Sequence, residues 1–267
     1  MRRRKRKPIR IAAERLWQLA AVILVLTMTL KIHSNMRELV ARAYTGKFET
    51  EHLTPTVSVG EYHVLELFRG PTSAFKDVAL CMLPQLLTAA KTEKGMNDDI
   101  LILTATSGDT GKAAMEGFAD VPQTKIMVFY PVNGVSNIQK KQMASQKGNN
   151  VDVVSINGNF DEALETMTQL AREKYLYLLN SINPFRLEGQ KTIGYEIVHD
   201  LGWESPDRIV LPVGNAGNIS AIWKGITEFH NAGFMDDVPM MTGIQAEGEF
   251  RLCHYLWPCR QPDECVW

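Results

Sequence analysis

The chain reads as an α/β protein built on mostly parallel sheets with flanking helices. Two observations predict this. From Ile100 to Ala246, short apolar runs alternate with segments of helical period, the rhythm of successive strand–loop–helix units. Two of the intervening loops, 104–111 and 212–219, are rich in glycine and polar side chains and stand at strand-to-helix junctions, where such sheets collect ligands.

The totals agree with one large domain or two modest ones: 267 residues, 45% hydrophobic and 22% charged. Seven basic residues crowd the first ten (Arg2, Arg3, Arg4, Lys5, Arg6, Lys7 and Arg10). Setting these seven aside from a net charge of −1 leaves −8 on the remainder. Such a body is a poor general nucleic-acid binder, so local groups must hold any anionic ligand. The four cysteines (Cys81, Cys253, Cys259 and Cys265) form no disulfide framework, and a reducing compartment is expected. The last three are too widely spaced for a usual zinc pair, so no metal site is expected.

After the basic cluster come 15 uncharged residues, 16–30. That is short of the roughly 20 that span a bilayer. The layout is that of a signal peptide or anchor, but Lys31-Ile32-His33-Ser34 offers no small-x-small cleavage site. A foreign or mis-started extension, a membrane anchor and a helix packed on the body all stay open.

Taken in order, a strand is predicted over 64–68, running into a turn. The helix from 74 onward meets Pro84, where a kink or restart is expected, and Gly95 is its stop. Strands follow over 100–105, 125–130, 151–156, 176–179, 208–213 and 240–246. Between them lie helices over 110–119, 136–146, 161–173, 187–200 and 218–230. Residues 250–267 break this rhythm.

The segment 67–78 carries the chemistry. It joins the turn pair Gly70-Pro71, two candidate N-cap hydroxyls (Thr72 and Ser73), and an apolar run with Lys76 in its first turn. An ammonium there meets the positive end of the helix dipole. Partly desolvated between Phe75 and Val78, it loses its proton more readily than an ordinary lysine. A neutral amine is what attacks a carbonyl to form a Schiff base. Read alone, the segment also fits an exposed lysine after a capped turn.

The whole run resembles the pyridoxal phosphate lysine motif of the threonine synthase family. Phe68, Gly70, Pro71, Thr72, Ala74, Phe75, Lys76 and Asp77 stand in its places, with Arg69 where many members carry His. The resemblance reaches about Gly248. It implies the two-domain pyridoxal phosphate fold type II, with Lys76 holding pyridoxal 5′-phosphate.

The first loop can hold an anion on its backbone N–H groups, or can be a turn capped by Ser107 or Asp109. It resembles the family's Ala-Thr-Ser-Gly-Asp-Thr-Gly motif. The resemblance implies that Asp109 faces the cofactor, and that Ser107, Gly108 and Thr110 meet the substrate's α-carboxylate. In the second loop, two glycines let the backbone close around a phosphate. It resembles the superfamily's phosphate loop, implying that Gly214, Asn215, Ala216, Gly217 and Asn218 hold the cofactor's 5′-phosphate.

Arg186 is permanently charged and can grip a phosphate bidentately, though a surface arginine at a helix start fits equally well. The stretch 183–191 resembles one branch of the family, which raises Asn183 and Arg186 as substrate-phosphate ligands. Residues 61–182 resemble the longer-chain branch and 183–248 the shorter, so a hybrid seam is expected across 182–184.

The resemblance thus implies a large domain (61–97 with 185–248, incomplete), a small domain (98–184), an N-terminal extension (1–60) and an irregular tail (249–267). It implies conversion of O-phospho-L-homoserine and water to L-threonine and phosphate by a cytoplasmic enzyme. A missing C-terminal part of the large domain is expected to weaken cofactor retention and activity, and to leave an edge and apolar surface uncovered. A related dehydratase or phospholyase and a non-catalytic fragment are the alternatives. A membrane partner is not expected, though residues 16–30 leave it open, as is a homo-oligomer.

Overall fold

The computed structural model describes residues 36–174, 176–180 and 183–245. The apolar run 16–30, the tail 249–267 and its three cysteines lie outside the described residues. No helix among the described residues is long and apolar enough to cross a membrane.

Helix α1 (Met36–Tyr44) buries Leu39 and Ala43. The Tyr44 hydroxyl donates to the Val78 carbonyl at 2.7 Å. Next comes a hairpin the sequence reading did not assign: β1 (Thr56–Val59) antiparallel to β2 (Tyr62–Leu65), with Val59 opposite Tyr62. Its two-residue loop demands a positive φ, and Gly60 supplies it at +62°. The strand predicted over 64–68 needs correction. It stops at Leu65, and Leu67–Arg69 is a 3₁₀ turn. The Arg69 guanidinium reaches Glu66 at 2.8 Å and Glu49 at 2.9 Å, bending this segment out of the extended state.

The predicted restart at Pro84 is present. A single turn, α2 (Asp77–Leu80), is followed by α3 (Leu83–Glu93) with the proline in its first turn, where a missing N–H costs nothing. Gly95 ends α3 at φ +65°.

The α/β rhythm then folds as expected. Strands β3 (Ile100–Ala105), β4 (Thr124–Pro131), β5 (Val151–Ile156) and β6 (Tyr177–Leu178) form a parallel sheet in the order β5-β4-β3-β6. Side chains alternate across it. Ile102, Ile126 and Val128 face α3, α4 (Asp109–Phe118) and α5 (Asn137–Ala144). Leu103, Ala105 and Met127 face α6 (Phe160–Lys174). Both faces are covered, as a parallel sheet requires.

The helix predicted over 187–200 is two helices, α7 (Pro184–Gln190) and α8 (Thr192–Asp200), joined at Lys191. Gly225 of α9 (Gly217–Asn231) packs so tightly on the Lys191 carbonyl that a Cβ there would collide with it. Helices α8 and α9 cover one face of a second parallel pair, β7 (Arg208–Pro212) and β8 (Met240–Ile244), burying Ile209 and Leu211. Val210, Met240 and Ile244 remain exposed. Across the expected seam, the Asn183 N–H donates to the Asn180 carbonyl at 2.9 Å, and its side chain to the Leu178 carbonyl at 3.1 Å.

One-turn α2 joins the two cores. Leu80 belongs to the cluster under β3 and β4, and Val78 to the one under β7. Gly117 of α4 lies against the Leu80 carbonyl with no room for a Cβ. Gly117→Ala should therefore lower stability by about 1–3 kcal/mol in urea unfolding. A gain, as helix propensity alone would give, would show that this approach is not close.

Candidate functional site

In the order β5-β4-β3-β6, the chain steps from β3 outward to β5, then returns to the other side of β3. The crevice at the carboxyl ends of β3 and β6 is thus a switch point, where open α/β sheets bind ligands. A cavity of about 330 Å³ lies there, shared with the loop after β7. That volume is within the usual range for small-molecule sites.

Most of the predicted site residues meet in it. Lys76, Ser107, Gly108, Asp109, Thr110, Gly214, Asn215, Ala216, Gly217 and Asn218 all line the cavity. Asn183 and Arg186 do not.

Lys76 precedes α2 in helical geometry (φ −66°, ψ −22°), and no side chain caps that helix. Thr72 and Ser73 therefore do not act as N-caps. Instead, the Thr72 N–H and hydroxyl donate to the Asp77 carboxylate at 2.8 and 2.6 Å. Gly70 completes the wrap: a Cβ there would sit 2.5 Å from Asp77 Oδ2. Asp77 is 1% exposed, and burial pushes its carboxyl pKa up against the pull of the Thr72 bonds.

The Lys76 pKa is lowered, as expected, and of the two causes named from the sequence it is desolvation that leads. With α2 only four residues long, burial is the leading cause, and the Arg186 charge acts in the same direction. Asp109 Oδ2, 3.5 Å from the amine, opposes them. So does the Phe75 ring, whose centroid is 4.4 Å away and which favours the ammonium.

In the first loop neither Ser107 nor Asp109 is the cap. The Thr106 hydroxyl accepts from the Gly108 and Gly111 N–H groups, both at 2.9 Å. Gln139 donates to Asp109 Oδ1 at 2.7 Å. Asn180 bonds both backbone groups of Ala105, N–H at 3.2 Å and carbonyl at 2.9 Å, fixing the end of β3. Sequence reasoning missed Thr106, Gln139 and Asn180 as site residues. Only Gln139 left a local signal, the Ser136-x-x-Gln139 helix start.

In the second loop Ala216 adopts the left-handed conformation, φ +59°, and α9 begins directly after it. Asn215 Oδ1 accepts from the Gly217 N–H at 3.2 Å. Asn218 Oδ1 is buried without a partner, and a Cβ at Gly214 would meet nothing within 4 Å. The loop leaves room for a bound group.

Arg186 is 3% exposed rather than a surface residue. Its Nε donates to Gln190 at 3.0 Å, while Nη1 is buried with no partner among the described residues. Burial pushes its pKa down to about 10. Asn183 caps α7, accepting from the Phe185 N–H at 3.0 Å.

Residues 44–265 match the family model for pyridoxal-phosphate dependent enzymes, and the chain belongs to that family. It is similar to the threonine synthase of Methanocaldococcus jannaschii, 41% identical over 204 residues, covering 76% of this chain and 48% of that protein. The threonine synthase of Methanosarcina acetivorans is 42% identical over the same shares. Among solved structures, pyridoxal phosphate-bound threonine synthase from Brucella melitensis superposes with a TM-score of 0.63 at 33% identity, covering 78% of this chain and 44% of that one. Yeast threonine synthase gives 0.63 at 28% identity, covering 80% and 44%. The chain spans about half the length of the curated relatives it matches.

A base whose folded pKa lies below its unfolded one costs stability wherever it is charged, here below about 10 for Arg186. Replacing both members of the Arg186–Gln190 pair, Arg186→Met with Gln190→Leu, should stabilise the ligand-free chain by about 1–4 kcal/mol in urea unfolding at neutral pH. Loss of stability would mean that the guanidinium is better compensated than its orphaned Nη1 indicates.

Proposed function

We propose that the chain is a threonine synthase-like carbon–oxygen lyase, taking O-phospho-L-homoserine and water to L-threonine and phosphate. The observation that carries this reading is one cavity lined by both a largely buried lysine amine and a glycine loop able to hold a phosphate. The identity to proteins named threonine synthase supports the choice within the family.

The residues fit pyridoxal 5′-phosphate. Gly214, Asn215, Ala216, Gly217 and Asn218 would hold its phosphate on their donor N–H groups, with open space at Gly214. Lys76 would anchor it, and Asp109 would face it. When bound, the cofactor supplies an electron sink for carbanion chemistry. Released by substrate, the Lys76 amine would move protons at Cα and Cβ, a role that favours a lowered pKa.

Ser107, Gly108 and Thr110 would receive the substrate α-carboxylate at the start of α4. Arg186, outside the cavity lining but close enough for its charge to act on Lys76, would receive the substrate phosphate, with Asn183 capping the helix that carries it. The phosphorylated substrate is favoured over the simple hydroxy-amino acids of a dehydratase because a buried, unmatched guanidinium nitrogen gains most from a dianion.

The same proposal takes 61–97 with 185–248 as one lobe and 98–184 as the other. The separate apolar clusters under β7 and under β3–β4 support it, with α2 contributing to both. It includes a small-molecule partner and a cytoplasmic setting, the latter supported by the free, buried Cys81.

Borohydride reduction after incubation with pyridoxal phosphate should label the peptide bearing Lys76, and Lys76→Ala should abolish the label. Phosphate release from O-phospho-L-homoserine should fall about 10²–10⁴-fold in that variant. A label elsewhere would overturn the assignment. Turnover of threonine, serine or phosphothreonine in preference to phosphohomoserine would make the chain a dehydratase or phospholyase.

A further inference from the structure

Asp109 raises a physical difficulty. Its side chain is 54% exposed, and an ion pair with one partner so wet is worth little unless something else fixes the geometry. We propose that Gln139 is the positioning residue that holds the Asp109 carboxylate against the Lys76 amine. This rests on the reading of Lys76 and Asp109 as cofactor-facing groups, and it extends that reading to a residue outside both loop motifs.

The geometry is consistent at three positions. Gln139 Nε2 donates to Asp109 Oδ1 at 2.7 Å, leaving Oδ2 turned to Lys76 at 3.5 Å. The other end of the amide is also tied: Oε1 accepts from the Ser136 hydroxyl at 3.0 Å, and that hydroxyl caps the Gln139 N–H at 3.2 Å. In a usual capping box the glutamine would reach back to the backbone N–H of the N-cap residue. Here its oxygen accepts from the Ser136 hydroxyl instead, and its amide nitrogen donates to the neighbouring helix. Finally, a Cβ at Gly108 would collide with the Gln139 side chain, so glycine at that position makes room for the amide.

Three charged groups act on Lys76: Asp109 from α4, Arg186 from α7 and Asp77 from α2. Arg186 and Asp77 are locked by burial, at 3% and 1% exposed. Asp109 alone of the three can swing into water, so the loss of Gln139 acts on the lysine through that carboxylate. A carboxylate near the amine favours the ammonium, and releasing it makes the amine easier to deprotonate.

The test is a double-mutant cycle on the full chain, freed of pyridoxal phosphate with hydroxylamine. Wild type, Gln139→Leu, Asp109→Asn and the double variant are modified with trinitrobenzenesulfonate over a pH series, and Lys76 is followed by peptide mapping. Gln139→Asn serves as a milder variant, keeping an amide too short to reach. At a fixed pH below the midpoint, Lys76 should react about 10-fold faster in Asp109→Asn. The gain should be roughly 3-fold in either Gln139 variant. The double variant should react no faster than Asp109→Asn, while exposed Lys125 reacts equally in all. An unchanged Lys76 rate without Gln139, or gains that multiply in the double variant, would overturn the proposal. A Gln139 that served only as a cap would lower thermal stability and leave the Lys76 rate alone. Because the cycle is read without cofactor, its failure leaves the borohydride result standing. A missing label on Lys76 removes the proposed function whatever the cycle shows.

Discussion

Everything in this molecule turns on the confinement of a single helical turn. All four residues of α2 are buried, and each is claimed by a different neighbour. Asp77 is wrapped by the Gly70–Thr72 turn, Val78 enters the core under β7, Ala79 lies against Gly189, and Leu80 enters the core under β3. Gly189 is needed because a Cβ there would come within 2.8 Å of Ala79, just as Gly117 is needed beside Leu80. Lys76 precedes this turn directly, so its amine has little choice of position. Close backbone approach at two glycines is what allows both sheets to bear on the same four residues.

Confinement also sets the electrostatics. Lys76 and Arg186 are two cations in low-exposure positions, and the acids near them are unequal partners. Asp77 is committed to Thr72, and Asp109 is half in water. Burial with incomplete compensation lowers the pKa of both bases. Such an arrangement is costly in the ligand-free fold and favours an anion. Attraction for an anion is thus a local property here, in a chain whose net charge is slightly negative.

Much of this was legible before any coordinates. Short apolar runs located β3 and β5 to the residue: β3 carries the nearly unbroken apolar signal of a central strand, and the edge strand β5 keeps Val151, Val153, Val154 and Ile156 around exposed Asp152 and Ser155. Pro84 and Gly95 announced the restart and stop of α3 through backbone rules that need no partners. The β1–β2 hairpin was missed, although Gly60 between two short runs is a recognised hairpin signal. The break at Lys191 was missed; Gly225, far along the chain, packs on the Lys191 carbonyl there. At the site, most residues inside continuous motifs were found, Thr106 excepted, and the isolated Gln139 and Asn180 were not. Asn180 grips β3 from a different strand, and no local pattern announces a side chain whose partners are 75 residues away.

The amino-acid order alone therefore determined the α/β class, the lysine segment and the two loops that share its cavity, because these depend on contiguous patterning and backbone propensity. Tertiary structure decided the rest. It put burial ahead of the helix dipole among the causes of the lysine's lowered pKa, buried the arginine for which a surface place fitted equally well, and spent Asn183 on capping a helix. Desolvation and partner choice are properties of what surrounds a side chain, and packing alone supplies those surroundings.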